Sequence, residues 1–195
     1  PRVDRLFVAA SSCGTISGLL AGLSLAGLAL PVTGVQTAAS YVTNRHNIQA
    51  TYARVLELVR IYAPEAYRRS PLTMPRFELC PDFLGGRYGQ PVAAGERAVE
   101  LAREQAGLVL EGTYTGKAFA AVLQWCQRPE NAGRRALFWN TYNSRDLSQL
   151  AAQGDWHRLP KRLWRYFDGT VPFASSGHRP ASWPEASLAP GRFRA

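Results

Sequence analysis

The stretch Leu6–Gly22, LFVAASSCGTISGLLAG, decides the fold that the sequence predicts. Its first five residues are a continuous apolar run, which is typical of a parallel strand that is covered on both faces. Five small uncharged residues, 11–15, come next, and an apolar helical stretch follows them. A strand that leads through a small-residue turn into a helix predicts the first half of a βαβ unit.

The turn over residues 11–15 has no charged or bulky side chain, so a ligand there must be held by backbone N–H groups. Those groups, with the positive end of the following helix, attract an anion. The turn matches neither the Gly-Lys-Ser/Thr of a Walker loop nor the GxGxxG of dinucleotide-binding folds. We therefore predict a phosphate-binding turn, and a tight turn with nothing bound is the alternative.

The rest of the chain alternates between predicted strands and helices. Strands are predicted at 31–38 and 135–140, an extended or strand segment at 108–114, an irregular connection at 64–85, and helices at 16–28, 44–63, 96–105 and 116–126. This alternation predicts an α/β fold with an open, mainly parallel sheet flanked by helices. Ligands in such folds bind beyond the carboxyl ends of the strands, where the phosphate-binding turn lies. We expect one region over 1–168 and a Pro/Ser/Arg-rich tail, 169–195, that is poorly ordered.

The composition excludes a disordered chain, because 46% of the 195 residues are hydrophobic. The net charge of +9 raises the question of nucleic acid. Lys117 and Lys161 are the only lysines, however, and the arginines are scattered, so no dense basic run is present to follow a phosphate backbone. We predict no nucleic-acid partner.

The three cysteines are odd in number and far apart, without the spacing of a disulfide framework or a zinc site. The sequence therefore predicts no metal and a reducing, cytoplasmic compartment. The uncharged span Leu6–Asn44 is long enough to cross a bilayer. Serines, glycines and a threonine interrupt it, so we predict a strand, a turn and a buried helix, with no membrane partner.

Three segments, taken together, resemble a known family. They are DFLGGRYGQPVAAGERAVELAREQAGLVLEGTYTGKAFAAVL (82–123), the turn SSCGTISGL (11–19), and RALFWNT (135–141). Together they resemble the carboxyl-terminal half of fold-type-II pyridoxal-phosphate enzymes, which share the tryptophan synthase β-like fold. The branch is that of D-cysteine desulfhydrase and 1-aminocyclopropane-1-carboxylate deaminase. The resemblance covers residues 3–150, and its most specific parts are GRYGQP and GTYTGKA.

The resemblance implies that the cofactor is pyridoxal 5′-phosphate, and it implies which residues contact the cofactor and the substrate. Tyr88 and Tyr114 match the two active-site tyrosines of the branch and would face the substrate, where a phenol can hold a carboxylate or transfer a proton. The alternative for both is ordinary packing of a half-buried aromatic ring. The residues that would hold the cofactor phosphate, mostly through main-chain N–H groups, are Ser12, Cys13, Gly14 and Thr15.

Thr115 matches the position at which a side chain meets the pyridine nitrogen, and at which the deaminase typically has a glutamate. A carboxylate keeps that nitrogen protonated, whereas a hydroxyl offers only a hydrogen bond. Thr115 therefore favours α,β-elimination of the D-cysteine desulfhydrase type, which gives a keto acid, ammonia and a thiol or sulfide, over ring opening. Alternatively, Thr115 caps a helix that begins at Gly116.

The sequence departs from the family pattern in two places. The resemblance places the Schiff-base lysine upstream of the phosphate-binding turn, in a segment that these residues lack, so we expect the chain to begin inside a domain. Lys117 is expected to be structural. Residues 140–143 read Asn-Thr-Tyr-Asn where the branch usually has His-Thr-Gly-Gly, which leaves the substrate open.

The sequence thus predicts a homodimeric, pyridoxal-phosphate-dependent lyase or deaminase that acts on a small amino acid and needs the upstream segment for activity. Two alternatives remain: a ring-opening deaminase, and, if the chain is complete, a catalytically inactive protein that binds the cofactor.

Overall fold

The structure is a computed structural model that describes residues 2–143 and 145–168. The chain forms two compact units that divide between Tyr142 and Asn143. The predicted tail, 169–195, lies outside the described residues, so its predicted disorder stays a prediction.

The first unit alternates strands and helices. Its strands are β1 (Arg5–Ala10), β2 (Val32–Gln36), β3 (Phe77–Cys80) and β4 (Ala136–Phe138). Its helices are α1 (Gly14–Leu25), α2 (Arg45–Tyr62), α3 (Pro64–Arg69), α4 (Ala93–Ala106) and α5 (Thr115–Gln127), with a 3-10 turn at Pro129–Asn131. The second unit contains α6 (Ser148–Ala152) and the 3-10 helices Trp156–Arg158 and Lys161–Tyr166.

The four strands form one parallel sheet in the order β3-β2-β1-β4. Leu6 pairs with Val32, and Val32 pairs in turn with Phe77. On the other side of β1, Arg5 pairs with Ala136. The predicted α/β fold with an open parallel sheet flanked by helices is confirmed.

The apolar run in β1 is continuous because helices cover both faces of the sheet. Leu6 and Val8 belong to a core cluster that includes residues of α1 and α2. Phe7 points to the other face, where it packs among residues of α4 and α5 and meets the Trp125 ring edge-on at 5.8 Å. The two helical layers therefore rest on alternate residues of one strand.

Helices α4 and α5 approach each other closely at Gly116. A Cβ atom added there would lie 3.0 Å from the carbonyl oxygens of Glu111 and Gly95 and 2.6 Å from Cγ2 of Val99. Backbone atoms cannot move aside as a flexible side chain can. Close packing against these atoms thus explains why the TGKA motif has a glycine at position 116.

The predicted irregular connection over 64–85 was wrong in two places, because it contains α3 and β3. Proline occupies the first position of α3, where its missing N–H is not needed. Strand β3 is a four-residue edge strand that is recognisable only from its pairing with β2. The segment 108–114 forms no strand, and residues 112–114 turn directly into α5.

The uncharged span Leu6–Asn44 folds as β1, a turn, α1 and β2. Helix α1 is 12 residues long and packs beside the sheet through Ile16 and Leu20. Within the described ranges, no helix combines the length and apolar character needed to cross a bilayer.

The second unit contains a small aromatic cluster. The Trp156 ring stacks on His157 at 3.7 Å between centroids and lies parallel to Phe167 at 5.6 Å. Trp164 meets the Trp156 ring edge-on at 5.9 Å. Stacked and edge-on rings of this kind stabilise a short segment whose secondary structure consists of two short 3-10 helices.

We expect Gly34→Ala to destabilise the first unit by about 1–3 kcal/mol, the usual cost of overpacking a core. A Cβ atom at Gly34 in β2 would lie 2.6 Å from Cδ1 of Ile16 and 3.1 Å from Cδ2 of Leu79, so the fully buried Ile16 side chain would have to repack. The measurement is the free energy of unfolding in denaturant.

Gly22→Ala in α1 is the matched control, since a Cβ atom there meets nothing within 4 Å. It is expected to be neutral or to stabilise by about 0.5–1 kcal/mol, because alanine favours a helix interior. Equal destabilisation by both substitutions would contradict the proposed close packing at Gly34.

Candidate functional site

The predicted phosphate-binding turn lies at the carboxyl end of β1 and is held from behind by two threonines. Thr37 donates its hydroxyl to the Ala10 carbonyl at 3.1 Å, and Thr43 donates to the Ser11 carbonyl at 2.6 Å. The Cys13 thiol lies 3.5 Å from the carbonyl of Val42. The carbonyl oxygens of Ala10 and Ser11 and the Cys13 thiol are therefore engaged by the protein. The N–H groups of Ser11 and Ser12, which belong to the same trans peptide units as these carbonyls, point the opposite way.

Helix α1 begins within the turn, at Gly14, and no side chain caps its first N–H groups. Cys13 is its N-cap, with a left-handed backbone (φ 69°) and no side-chain hydrogen bond to the helix amides. The first N–H groups of a helix have no partner within the helix. No acidic residue lies in the first turn of α1. The arrangement can therefore accept an anion from outside.

A cavity of about 330 Å³ opens at this turn. It brings together Ser12, Cys13, Gly14 and Thr15 with both predicted tyrosines, Tyr88 and Tyr114, and its further lining residues are Ala9, Ala10, Ser11, Ile16 and Thr141. None of these side chains is charged. The residues that the sequence assigned to the cofactor phosphate and to the substrate thus share one space.

The two tyrosines form a pair at this cavity. Their hydroxyl groups are hydrogen-bonded to each other, and their rings meet edge-on with centroids 6.1 Å apart. Tyr88 is 57% exposed, whereas Tyr114 is half-buried. The hydrogen bond to Tyr88, with burial as the second cause, raises the pKa of Tyr114 to about 12. Tyr114 therefore keeps its proton at neutral pH.

Thr115 is buried and does not line the cavity. Its hydroxyl lies 3.1 Å from a carboxylate oxygen of Glu111 and accepts the Glu111 N–H at 3.0 Å. Helix α5 begins at Thr115 itself, so the alternative that Thr115 is an N-cap for a helix starting at Gly116 is wrong. Its predicted contact with a pyridine nitrogen stays a prediction.

Glu111 performs the capping that the sequence analysis missed. Its carboxylate accepts the N–H groups of Thr113 at 2.7 Å, Tyr114 at 2.9 Å and Thr115 at 2.7 Å. An acidic residue just before a helix is favourable because it meets the positive end of the helix dipole. That position was the available signal. Glu111 fixes the backbone that presents the Tyr114 ring.

Lys117 lies in the interior, and its side chain is not part of the cavity lining. The ammonium group donates to the Leu84 carbonyl at 2.7 Å. Burial lowers the pKa of Lys117, and the charge of Glu111 opposes that shift.

Thr141 is the cavity residue that comes from the Asn-Thr-Tyr-Asn segment, and the sequence analysis did not assign it. It follows β4 closely, so its position at the carboxyl edge of the sheet was the available signal. Beside it, the Asn140 carboxamide oxygen accepts the N–H of Tyr142 at 3.0 Å.

The chain is similar to curated proteins, although no family model matches it. A Pyrococcus abyssi protein that carries the provisional name 1-aminocyclopropane-1-carboxylate deaminase is 24% identical over 144 residues, or 72% of this chain and 39% of the relative. Nocardicin C-9′ epimerase of Nocardia uniformis subsp. tsuyamanensis is 29% identical over 146 residues, or 75% of this chain and 42% of the relative. The chain thus spans about two fifths of the length of these relatives.

A solved structure described as an ACC deaminase homologue shares the fold. It superposes on this chain with a TM-score of 0.56 and 21% sequence identity. The superposed region is 77% of this chain and 43% of the chain in the solved structure. Together with the named relatives, it confirms the resemblance to the carboxyl-terminal portion of the 1-aminocyclopropane-1-carboxylate deaminase branch of fold-type-II enzymes.

We expect Tyr88→Phe to lower the pKa of Tyr114 from about 12 toward its ordinary value of 10, because the first cause of the shift is removed. A tyrosine whose pKa is higher in the folded than in the unfolded state stabilises the protein fully at pH values below the unfolded pKa. That stabilisation is lost as the pH rises through the folded pKa. Tyr88→Phe should therefore lose stability that the wild type retains up to mildly alkaline pH.

The measurement is a titration of tyrosinate absorbance, taken as the difference from Tyr114→Phe, with thermal melts at each pH. Tyr62→Phe is the matched control, since Tyr62 is 81% exposed and does not line the cavity. A Tyr114 titration that is the same with and without the Tyr88 hydroxyl would contradict the pairing.

Proposed function

We propose that the cavity binds pyridoxal 5′-phosphate and belongs to a lyase or deaminase that acts on a small amino acid. The phosphate would lie on residues 12–15, and the substrate beside Tyr88 and Tyr114. The observation that carries the proposal is that the uncapped turn and the phenol pair line one cavity.

The residues present fit this cofactor. The cavity, at about 330 Å³, falls within the range of small-molecule sites, which is roughly 300–1,000 Å³. Small side chains at Ser12 and Gly14 let a phosphate approach the main chain. The buried Cys13 thiol is turned toward the Ser11 and Val42 carbonyls and leaves that approach open. Backbone amides and a helix N-terminus are donors suited to a dianion.

When bound, pyridoxal phosphate supplies an electron sink for the carbon next to the substrate amino group. The chain supplies the surroundings of that carbon. In the phenol pair one hydroxyl donates to the other, so the accepting hydroxyl keeps its own proton for a substrate oxygen or for proton transfer. Because Tyr88 is exposed, the pair would also allow protons to be exchanged between the cavity and the solvent.

The names of the relatives indicate related proton chemistry. Epimerisation removes a proton from a carbon and returns one, and deamination of an amino acid with elimination also begins by removing a proton. A pair of phenols at the mouth of the cavity serves either reaction. Within this class we propose D-cysteine desulfhydrase-like elimination, with 1-aminocyclopropane-1-carboxylate ring opening as the alternative. The support is the sequence argument that Thr115 stands where the deaminase typically has a glutamate; the Thr115 hydroxyl itself is bound to Glu111 and lies outside the cavity lining. We further propose that the protein acts as a homodimer, as the resemblance implies.

The cofactor proposal predicts that Gly14→Asp weakens pyridoxal-phosphate binding to the 195-residue chain at least about tenfold, a free-energy change of about 1.4 kcal/mol. A carboxylate at the start of α1 repels the phosphate while it favours the helix dipole, so the loss of binding does not come from unfolding. Binding is measured by the absorbance and fluorescence of the added cofactor.

Gly18→Asp is the matched control, because both glycines are exposed on α1 and a Cβ atom at either meets nothing within 4 Å. It should bind the cofactor as the wild type does. Equal affinity in the two aspartate variants, or no saturable binding by the wild type, would overturn the proposed phosphate site.

The elimination proposal predicts that the natural full-length protein, loaded with cofactor, releases sulfide and a keto acid from D-cysteine faster than it opens 1-aminocyclopropane-1-carboxylate. Sulfide, keto acid and ammonia are measured in parallel, since elimination gives them in equal amounts. Faster ring opening would favour the deaminase. Cofactor binding without turnover of either substrate would favour an inactive binding protein.

A further inference from the structure

Tyr88 lies on the connection from β3 to α4, residues 81–92, which we call the Tyr88 loop. Two turns shape this loop: Leu84 donates its N–H to the Pro81 carbonyl at 3.0 Å, and Gln90 donates to Arg87 at 3.2 Å. Phe83 at the beginning of the loop is buried in the core, but Tyr88 near its tip is exposed. The buried beginning of the loop is thus the part at which the rest of the protein can fix the position of Tyr88.

Lys117 holds the loop at Leu84. Its side chain is fully buried, and its ammonium group donates to the Leu84 carbonyl at 2.7 Å. The stem lies against α4, since a Cβ atom at Gly95 would be 3.5 Å from Cγ of Lys117. Lysine is seldom fully buried without a partner, and a hydrogen bond from a charged donor is stronger than one from a neutral donor. An apolar residue of similar size would pack there without reaching the loop.

The same first turn of α5 controls both phenols. Tyr114 immediately precedes the helix, and Glu111 fixes its backbone through the Tyr114 N–H. Lys117, in the first turn of α5, fixes Leu84, four residues before Tyr88. Burial lowers the pKa of Lys117, but the nearby Glu111 carboxylate favours its charged form. One helix end thus carries one phenol and holds the loop that carries the other.

We propose that Lys117 is a positioning residue: through the Leu84 carbonyl, it holds the Tyr88 hydroxyl against the Tyr114 hydroxyl at the mouth of the cavity. The role of the pair in chemistry rests on the proposed function, but the positioning is a property of the chain without any ligand. It goes beyond a structural role because it predicts a change at the phenols themselves.

The first test is hydrogen exchange of the full 195-residue chain, followed by mass spectrometry of peptides from the Tyr88 loop. Lys117→Met keeps the length and apolar character of the stem but has no donor. It should accelerate exchange at Leu84 and Gln90 about tenfold or more, the factor expected for a lost hydrogen bond to a charged group. Lys117→Gln keeps an N–H donor on a slightly shorter stem and should exchange at a rate between those of the wild type and Lys117→Met.

Ser24→Ala is the matched control, since it removes one buried hydrogen bond, to the Tyr52 hydroxyl, between α1 and α2. This substitution should lower the free energy of global unfolding. After correction for that change, the exchange rates in the Tyr88 loop should equal those of the wild type. If Lys117→Met behaves like Ser24→Ala, Lys117 is merely structural and the proposal is wrong.

The second test is a double-mutant cycle read at Tyr114. Lys117→Met should lower the pKa of Tyr114 from about 12 toward 10, because the Tyr88 hydroxyl is no longer held in place. In the Tyr88→Phe background the same substitution should have no further effect. An equal effect in both backgrounds, or none in either, would overturn the proposal.

Both readouts are taken without cofactor or substrate, so they distinguish this proposal from the proposed function. Failure of the chain to bind pyridoxal phosphate would refute the cofactor site and leave the positioning role intact. Unchanged loop exchange in Lys117→Met would refute the positioning role and leave the phosphate site intact.

Discussion

The site depends on how the carbonyl oxygens at the end of β1 are bound. Thr37 donates both its N–H and its hydroxyl to the Ala10 carbonyl, at 2.9 and 3.1 Å. Thr43 donates its hydroxyl to the Ser11 carbonyl. Because a trans peptide unit points its C=O and N–H in opposite directions, the N–H groups of Ser11 and Ser12 are directed away from the two threonines. Both serines line the cavity. The parallel pairing of β1 with β2 places Thr37 beside Ala10, so the orientation of the turn follows from the register of the sheet.

The second group of interactions joins elements that are remote in sequence. The phenols of Tyr88 and Tyr114 are 26 residues apart and touch because α4 folds back against α5. Gly116 makes that contact close, and Glu111 fixes the end of α5 at which one phenol is carried. The GTYTGKA motif therefore combines a phenol, a helix start, a packing glycine and a buried ammonium within seven residues.

The parts of the fold that sequence predicts are those whose pattern is local. The apolar run of β1, the small residues of the turn and the helical spacing of α2 each identify their element without a neighbour. Strand β3 is different, because four residues flanked by prolines become a strand only when β2 provides hydrogen bonds. Thr141 and the burial of Lys117 were missed as site features for the same reason, since each depends on which segments the tertiary structure brings together. Glu111 is different, because its contacts with residues 113–115 are local and its position before a helix was a signal in the sequence.

The proposed phosphate-binding turn would attract an anion with main-chain dipoles, since it has no cationic side chain. Cys13 is the one titratable residue within 11–15, and burial raises the pKa of its thiol, which therefore stays neutral. Anion binding at the proposed site would then depend little on pH through the turn itself, and any pH dependence would come from the bound anion or from the phenol of Tyr114. On the proposed function, anion recognition and proton transfer would thus be carried out by different residues that line one cavity.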